Sequence, residues 1–475
     1  MTDGTAGRGR SDIRRIIVDC THIAPHPAHT GIPRVVEKYI TYGRPAAARA
    51  GVELVLAECV GAALHAYEPD MVRARASRKR GLGAKIALES GRYATRILSA
   101  LAQLSAALVP ARRMRTAMAS VAAACEEIVP ALRRRTDHAP MLGTRLEVGP
   151  SDVVFCPGYW HELDMSAYEA AKARGADIVF LIHDILPITL PQHYVYPWRQ
   201  EFADRLTRSF ASVSHYYCIS RQTCAEVKAF GAWQDIEVSA SVAYNGFDPA
   251  DAAAPPDTSV SPALDAVLAR APWLMVGTLE PKKGHADAIA VFEHLWSRGY
   301  ERPLLIIGRR GWMSEPVRDA IARSPWKDRR LFWFEGLEDV DVNCAYSRAY
   351  GFLFPSLAEG FGLPILEAAG RGLLVLARDM PVAREILGEA ALYFADRRDL
   401  AARLLELEAP AAHAAAASGQ AGLAWYLWPS VVEAVVSDLL RPPGDRRADL
   451  MSALERVPVS AASEGMAARA GRQSA

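Results

Sequence analysis

The stretch Phe352–Leu376, FLFPSLAEGFGLPILEAAGRGLLVL, has the pattern of one strand–helix–strand unit. It begins with a short apolar run that suits a strand buried on both faces, and Leu373–Leu376 fits the next parallel strand. The helix between them accepts Pro364 in its first turn, because the N–H that proline lacks would have no partner there. The stretch therefore predicts a parallel α/β sheet with two carboxylates, Glu359 and Glu367, beside one strand end. Ligands of open α/β sheets bind at this end of the strands.

The loop after the first of these strands has the chemistry of an anion site. Gly360 and Gly362 let a ligand approach the backbone closely, and the free N–H groups of a helix start favour phosphate. Glu359 lies in the loop and Glu367 on the helix, so the two could contact different parts of one ligand. The spacing alone fits a solvated loop glutamate and a surface helix glutamate equally well, and both interpretations stay open at this point.

The composition describes a globular chain with more than one domain. A chain of 475 residues is too long for one ordinary core, and 51% hydrophobic and 23% charged residues are typical of globular proteins. The net charge of +1 gives no overall attraction to nucleic acid, which we do not expect as a partner. Seven scattered cysteines without CxxC pairs argue against a disulfide framework or a zinc site. The N-terminus lacks the apolar segment of a secretory signal and no apolar run has transmembrane length, so we expect a cytoplasmic protein.

Two series of strand and helix patterns divide the chain into two α/β domains, separated where the first pattern stops at an Asn-Gly turn. The predicted segments are a flexible tail at residues 1–12, the first domain at 13–248, a Pro- and Ala-rich linker at 249–262, the second domain at 263–424, a C-terminal helix at 425–440 and a disordered tail at 441–475.

A basic segment interrupts the first domain. We predict a helical insertion at about residues 70–136, and within it residues 73–115 contain eleven lysines or arginines and one acid, Glu89. Leucines and isoleucines recur at helical spacing between the basic clusters. Such a segment suits an anionic membrane surface, and it fits equally a solvated insertion whose apolar side packs on the domain. The first alternative would place the protein peripherally on the inner face of the cytoplasmic membrane.

Two further strand ends carry candidate binding residues. His183 and Asp184 follow a strongly apolar strand, where a histidine could hydrogen-bond a substrate hydroxyl, although a lone histidine is often structural. Lys282 and Lys283 follow another strand and stand beside a glycine, where they could clamp a diphosphate or simply be solvated.

The first strand of the chain leads to a third candidate. Gly31 lies at the junction between this strand and a helix, where it allows a ligand to approach the backbone, and Arg34 follows in the first helical turn. A plain turn and a surface arginine are the alternative for this pair.

The two glutamates around Gly-Phe-Gly-Leu-Pro resemble the signature of the retaining glycosyltransferases of family 4. The resemblance covers residues 13–440, is strongest from Met275 to Phe394, and includes the lysine loop, the His-Asp strand end and the boundary Asn245–Asp248. It implies the GT-B architecture, in which two Rossmann-like domains face each other across a cleft. The first domain would bind the acceptor and the second a nucleotide sugar, while residues 425–440 would cross back to brace the first domain. The implied reaction transfers a hexose with retention of configuration, without a metal or another cofactor.

The resemblance also implies roles for the candidate residues. Lys283, with Lys282 and the helix start, would stabilise the leaving diphosphate, Glu367 would bind the ribose, and Glu359 would face the transferred sugar. His183 would hold a sugar hydroxyl from the opposite domain, so that domain closure completes the site. Whether Glu359 forms a covalent intermediate stays open, since the family is usually described with attack from the same face. The remaining residues implied for the donor site are Gly31, Gly277, Gly336, Leu337, Gly360, Phe361, Gly362 and Leu363, and Arg34 is implied for the acceptor side.

Asp339-Val340-Asp341 spells a DxD, which holds a metal in another glycosyltransferase fold. Here it stands before a predicted helix, where acidic side chains stabilise the helix start, and we interpret it in that way.

Within the family, the segments around Gly31 and His183 look most like bacterial enzymes that add mannose or deoxy-mannose to surface polysaccharides such as lipopolysaccharide. This favours a guanosine-linked donor and a saccharide or lipid-linked glycan acceptor. Two alternatives stay open. One is another GT-B enzyme, such as a sucrose- or trehalose-type synthase or a nucleotide-sugar epimerase, and the other is a non-catalytic scaffold that binds sugar nucleotides.

Overall fold

The computed structural model describes residues 13–21, 31–67, 143–248, 260–389 and 391–459. Two sheets and a small antiparallel pair hold the strands of this part of the chain. The strands of the first sheet are β1 (Arg15–Asp19), β2 (Glu53–Val60), β3 (Ala63–Ala66), β4 (Asp152–Cys156), β5 (Asp177–Ile182), β6 (His215–Cys218) and β7 (Ala240–Val242). The strands of the second sheet are β8 (Trp273–Val276), β9 (Leu304–Ile307), β10 (Leu331–Phe334), β11 (Gly351–Phe354), β12 (Val375–Arg378) and β13 (Leu392–Phe394). The small pair is β14 (Ala424–Trp425) and β15 (Val457–Pro458).

Helices connect the strands and cover the two large sheets. Those of the first domain are α1 (Ile32–Arg49), α2 (Met165–Ala173), α3 (Leu186–Thr189), α4 (Trp198–Ser209) and α5 (Arg221–Trp233). The later helices are α6 (Pro262–Leu268), α7 (His285–Trp296), α8 (Glu315–Arg323), α9 (Asp339–Arg348), α10 (Leu363–Gly370), α11 (Pro381–Leu387), α12 (Arg397–Glu406), α13 (Pro410–Gln420) and α14 (Trp428–Leu439). Among the described residues, no helix combines the length and apolar character that a membrane span requires.

The first sheet has the strand order β3-β2-β1-β4-β5-β6-β7, and all of its pairs are parallel except β2 with β3. Every residue of β4 and β5 is buried, as expected for central parallel strands covered on both faces. The carboxyl end of β5 leads directly to His183.

The second sheet is parallel throughout, in the order β10-β9-β8-β11-β12-β13. The chain order changes direction at β8, because β8 lies between β9 and β11. The loops after β8 and β11 therefore leave the sheet side by side, which brings the lysine loop next to the glutamate loop. The prediction of an α/β fold with two Rossmann-like domains is confirmed.

The C-terminal helix α14 crosses back to the first domain, as predicted. The ring of Trp428 meets the ring of Tyr39 on α1 edge to face, with centroids 6.1 Å apart, and Arg49 pairs with Glu433 at 3.2 Å. Backbone hydrogen bonds also join Phe247, at the end of the first domain, to Tyr426 and Trp428.

Some predicted segments lie outside the described residues. These are the tail at 1–12, the basic insertion at about 70–136 with its residues 73–115, most of the linker, residues 249–259, and residues 460–475 of the predicted C-terminal tail. The last residue of the predicted linker, Pro262, is already the first residue of α6.

The prediction that the chain is disordered from residue 441 is wrong for residues 441–459. This segment buries Leu450, Met451 and Val459, and it ends in β15, which pairs with β14. The buried Arg446 reaches Asp177 at the start of β5. The polar, Ala-rich composition concealed these few anchoring side chains, because they have no helical or strand periodicity.

Asp177→Asn is expected to lower the free energy of unfolding by about 3–5 kcal/mol, because it leaves the buried Arg446 without its carboxylate. The matched control is Glu169→Ala, which breaks an exposed pair with Arg208 and should change stability far less, since solvent screens that pair. Urea unfolding of both variants measures the difference. Equal losses of unfolding free energy in the two variants would show that the pair of Arg446 with Asp177 does not hold the C-terminal segment in place.

Candidate functional site

A cleft of about 1290 Å³ is lined by both domains at the carboxyl ends of their strands. Every residue that the sequence predicted for the site lines this cleft. These residues are Gly31, Arg34, His183, Gly277, Lys282, Lys283, Gly336, Leu337, Glu359, Gly360, Phe361, Gly362, Leu363 and Glu367.

Lys283 and Glu359 form the central ion pair of the second domain. The Lys283 Nζ lies 2.6 and 2.8 Å from the two carboxylate oxygens of Glu359, and the Ser356 hydroxyl donates to one of these oxygens at 2.7 Å. Burial would raise the pKa of Glu359, but Lys283 and Lys282 beside it lower this pKa below its ordinary value. Glu359 is therefore a charged, firmly held carboxylate at the bottom of the cleft.

Lys282 points to a different set of partners. Its Nζ lies 3.9 Å from Asp184 of the first domain and 4.0 Å from Glu280, and its side chain is 9% exposed. Burial opposes its charge, but Asp184 and the other acidic groups around it outweigh burial and raise the pKa of Lys282. The two adjacent lysines thus serve two different parts of the cleft.

His183 is buried, and its Nε2 lies 2.8 Å from the carbonyl oxygen of Pro157. Because a carbonyl only accepts hydrogen bonds, Nε2 carries the proton and Nδ1 remains as an acceptor in the neutral ring. Burial lowers the pKa of His183 below its ordinary value, which keeps the ring neutral near pH 7. A hydroxyl of a ligand could therefore donate to Nδ1.

Gly360 brings the two domains into direct contact. A Cβ added at this glycine would lie 1.8 Å from the carbonyl oxygen of His183 and 3.0 Å from the Cβ of Asp184. The loop that carries Glu359 therefore rests on the strand end that carries His183, and only glycine allows this approach.

Glu367 lies on α10 and contacts side chains of both domains. One of its carboxylate oxygens pairs with Arg34 of α1, and the other accepts a hydrogen bond from the buried Tyr346 hydroxyl at 3.0 Å. The resemblance implied Arg34 for the acceptor side, and in the structure its guanidinium lies against this glutamate.

The backbone of the cleft is open at three of the predicted glycines. Gly31, Gly277 and Gly336 have φ angles of +67°, +154° and +75°, and a Cβ at any of them would meet no other described residue within 4 Å. Their φ angles favour glycine, and the open space leaves the backbone accessible to a ligand.

The helix start after the glutamate loop is also accessible. Gly362 precedes α10 at φ +112°, and no side chain caps the helix. Phe361 differs from its neighbours because its ring is buried and packs against Tyr244 and Trp425. It anchors the loop rather than presenting its ring to the cleft.

Asp339 and Asp341 lie inside the first turn of α9, which starts at Asp339 rather than after the DxD. This position fits the interpretation that they stabilise the helix start. Within the described ranges, no group of three or more His, Cys, Asp or Glu side chains could hold a metal ion.

Sequence reasoning missed several residues of the cleft. Glu280 is buried beside Lys282, and burial raises its pKa to about 7 although both lysines oppose this. Tyr194, Trp198 and Trp312 form an aromatic wall that lines the same cleft. Glu280 stands in the lysine loop, and the position of Trp312 in the loop after β9, at the carboxyl end of a strand, was a sequence signal that could have indicated the wall.

Residues 270–418 match the family model "Glycosyl transferases group 1". The chain is 35% identical over 237 residues to the serotype-specific mannosyltransferase WbdA of Escherichia coli, a match that covers 48% of this chain and 29% of that protein. It is 31% identical over 121 residues to the O-antigen chain mannosyltransferase RfbU of Salmonella typhimurium, covering 26% of this chain and 33% of that protein. The chain thus spans only about a third of the length of these relatives.

Solved structures with the same fold have low sequence identity. Anabaena Alr3699/HepE in complex with UDP and glucose superposes with a TM-score of 0.50 at 13% identity, covering 97% of this chain and 100% of that chain. The N-terminal domain of Candida albicans trehalose-6-phosphate phosphatase superposes with a TM-score of 0.53 at 12% identity, covering 92% of this chain and 98% of that chain. Together with the two facing sheets, the first of them parallel except for β3 and the second parallel throughout, these likenesses identify the fold as GT-B. The match to the group 1 glycosyl transferases covers residues 270–418, which contain the lysine loop and the glutamate pair.

Proposed function

We propose that this protein transfers a hexose of the mannose or deoxy-mannose type from a nucleotide diphosphate sugar to a saccharide or lipid-linked glycan in surface polysaccharide biosynthesis. The transfer would retain the anomeric configuration and need no metal, and a guanosine-linked donor is favoured. The observation that carries the proposal is the contact at Gly360, which joins the Lys283–Glu359 pair to His183 of the opposite domain. The sequence similarity to two O-antigen or serotype-specific mannosyltransferases supports the sugar and the pathway.

The second domain has the groups that a nucleotide diphosphate sugar requires. Lys283 and the uncapped start of α10 offer positive charge to the diphosphate, where negative charge grows as the bond to the sugar breaks. Glu367 can accept hydrogen bonds from the two ribose hydroxyls. When the donor binds, Glu367 would either give up its ion pair with Arg34 or keep it while also binding the ribose. The open backbone at Gly336 and Leu337 leaves room for the base.

The transferred sugar would lie between Glu359 and His183. Glu359 can accept a sugar hydroxyl and favour the positive charge that develops on the ring, while the neutral His183 ring accepts another hydroxyl at Nδ1. Both Glu359 oxygens are bound to Lys283, which makes this carboxylate a weak nucleophile. Attack of the acceptor hydroxyl from the same face, with its proton passing to the leaving diphosphate oxygen, fits this arrangement best.

The proposed location is the cytoplasm, with the inner face of the membrane as the place where a lipid-linked acceptor would be met. Residues 73–115 would provide the membrane contact. Their deletion should abolish partition of the protein to anionic vesicles, and unchanged partition would overturn this part of the proposal.

The proposal is tested by incubating the purified protein with a panel of nucleotide sugars, with and without mannose-containing glycans, and measuring nucleoside diphosphate release. We expect release from a guanosine-linked donor that the acceptor stimulates, a product with retained configuration by NMR, and equal rates in EDTA. The absence of release from every donor would favour a non-catalytic scaffold. Interconversion of free sugars or sugar nucleotides would favour an epimerase.

Glu367→Ala and His183→Ala are expected to separate binding from turnover. The first should raise the KM for the donor by about 10- to 100-fold, because hydrogen bonds to a charged group are lost, while changing kcat less. The second should mainly lower kcat, because it removes a contact to the sugar from the opposite domain. Steady-state kinetics measures both, and exchanged phenotypes would contradict the assigned roles.

A further inference from the structure

Three aromatic rings form a wall across the two domains, which we call the aromatic wall (Tyr194, Trp198 and Trp312). Tyr194 stacks on Trp198 with centroids 5.6 Å apart and planes at 25°, and on Trp312 with centroids 5.4 Å apart and planes at 28°. The first two rings belong to the first domain, and Trp312 follows β9 of the second. The indole Nε1 of Trp312 donates to the carbonyl oxygen of His193 at 2.9 Å. This hydrogen bond fixes the orientation of the ring.

The loop of Trp312 is attached to the lysine loop. Leu279 donates its N–H to the Arg309 carbonyl at 2.8 Å, and Gly311 donates to the Leu279 carbonyl at 3.1 Å. A Cβ at Gly311 would lie 2.7 Å from that same carbonyl, so the two loops lie against each other. The position of Trp312 is therefore set by the loop that carries Lys283.

The wall is accessible at Trp312, although its middle ring, Tyr194, is buried. Trp312 is 37% exposed, and Val195, which lines the same cleft, is 53% exposed. Exposed apolar residues that come together from two loops of a cleft indicate a binding surface, whereas scattered ones do not.

Polar groups lie directly beside the wall. The Nζ of Lys282 is 5.9 Å from the centroid of the Trp312 ring, and it is also next to Asp184 and Glu280. A pyranose ring has an apolar face of C–H groups, which lies well on the negative face of an aromatic ring, and hydroxyls that donate to carboxylates. The combination of aromatic faces with Asp184 and Glu280 matches this chemistry.

We propose that the aromatic wall is the subsite for a pyranose ring of the acceptor glycan. The ring would stack on Trp312 and donate its hydroxyls to Asp184 and Glu280. The two adjacent lysines place this subsite beside the donor site, since Lys283 contacts Glu359 and Lys282 contacts the wall. The cleft, at about 1290 Å³, exceeds the usual size of a single-ligand pocket and can hold both substrates. This inference rests on the proposed transferase function.

The test measures glycan binding and nucleotide binding separately, on the full-length chain. Saturation-transfer NMR and calorimetry with methyl pyranosides and α-linked mannobiose and mannotriose report the first, and calorimetry with GDP and UDP the second. We expect Trp312→Ala to weaken glycan binding by about tenfold or more, while Trp312→Phe keeps most of it. Nucleotide affinity should stay within about twofold of the wild type, because no donor group is removed. Trp233→Ala is the matched control, since this tryptophan is 79% exposed but lies outside the cleft.

Three outcomes would overturn the inference. The first is that the wild-type protein binds none of the glycans, and the second is that Trp312→Ala binds them as the wild type does. The third is a parallel loss of glycan and nucleotide binding in both Trp312 variants. This would show that the indole acts only by holding the two domains together through its hydrogen bond to the His193 carbonyl oxygen. Failure of the proposed function looks different, since no nucleotide sugar would then give nucleoside diphosphate release, whatever the glycan affinities of the wild type and the Trp312 variants.

Discussion

Lys283→Met is expected to lower the turnover of sugar transfer by about 10²- to 10³-fold, the usual effect of removing one group that stabilises transition-state charge. The Lys283 ammonium is the cation nearest to Glu359 and lines the cleft beside the start of α10. Without it, the start of α10 is what remains of the two groups proposed to stabilise the leaving diphosphate. Initial rates of nucleoside diphosphate release at saturating donor measure the loss.

The same substitution leaves Glu359 buried without its closest partner, so a loss of stability could imitate a loss of catalysis. Lys283→Arg separates these effects, because it keeps the charge next to Glu359 and should retain both the fold and much of the turnover. Thermal unfolding of both variants shows which fraction of the protein is folded during the assay. If Lys283→Met remained folded and its turnover fell by less than about threefold, the diphosphate role would be excluded.

The residues of the cleft were predictable because each stands where a strand of a parallel sheet ends. His183, Lys283 and Glu359 each follow an apolar strand after only a few residues, and a parallel sheet collects such ends on one edge. The adjacency of Lys283 and Glu359 was implied only by the resemblance, since 75 residues and three strands, β9, β10 and β11, lie between them in the chain. The order of the second sheet supplies the reason, because β8 pairs directly with β11.

The partners of these residues could not be predicted in the same way. The pairing of Glu367 with Arg34 and the stacking of Trp312 on Tyr194 join residues of different domains, and no local pattern records them. The buried glutamate of the lysine loop, Glu280, looks like any loop glutamate in the sequence, because its burial is caused by the loop of Gly311 packing above it. Tertiary contacts of single side chains leave no periodicity, which also explains the missed anchoring of residues 441–459.

Gly360→Ala is expected to lower sugar transfer by about 10²-fold while leaving nucleotide binding to the second domain largely intact. The new methyl group would lie 1.8 Å from the His183 carbonyl oxygen, and a backbone atom of a buried strand end cannot move aside as a flexible side chain can. The glutamate loop must then move away from the first domain until the methyl group and the carbonyl oxygen are in van der Waals contact. This movement also separates Glu359 from His183. Lys283 and Glu367 stay in place on their own domain, so GDP and UDP affinities report that the second domain is folded.

Gly422→Ala is the matched control for this substitution, since a Cβ at this exposed glycine of the second domain meets no atom of the described part of the chain within 4 Å. It should transfer sugar at the wild-type rate. Small-angle scattering of Gly360→Ala should also show a larger radius of gyration than the wild type, because the domains can no longer meet at this contact. Wild-type turnover in Gly360→Ala would mean that His183 and Glu359 act without the close approach of their loops, and the site would then belong to the second domain alone. A transferase that uses both domains therefore depends on the domain contact at Gly360, whereas a nucleotide binder that uses only the second domain does not.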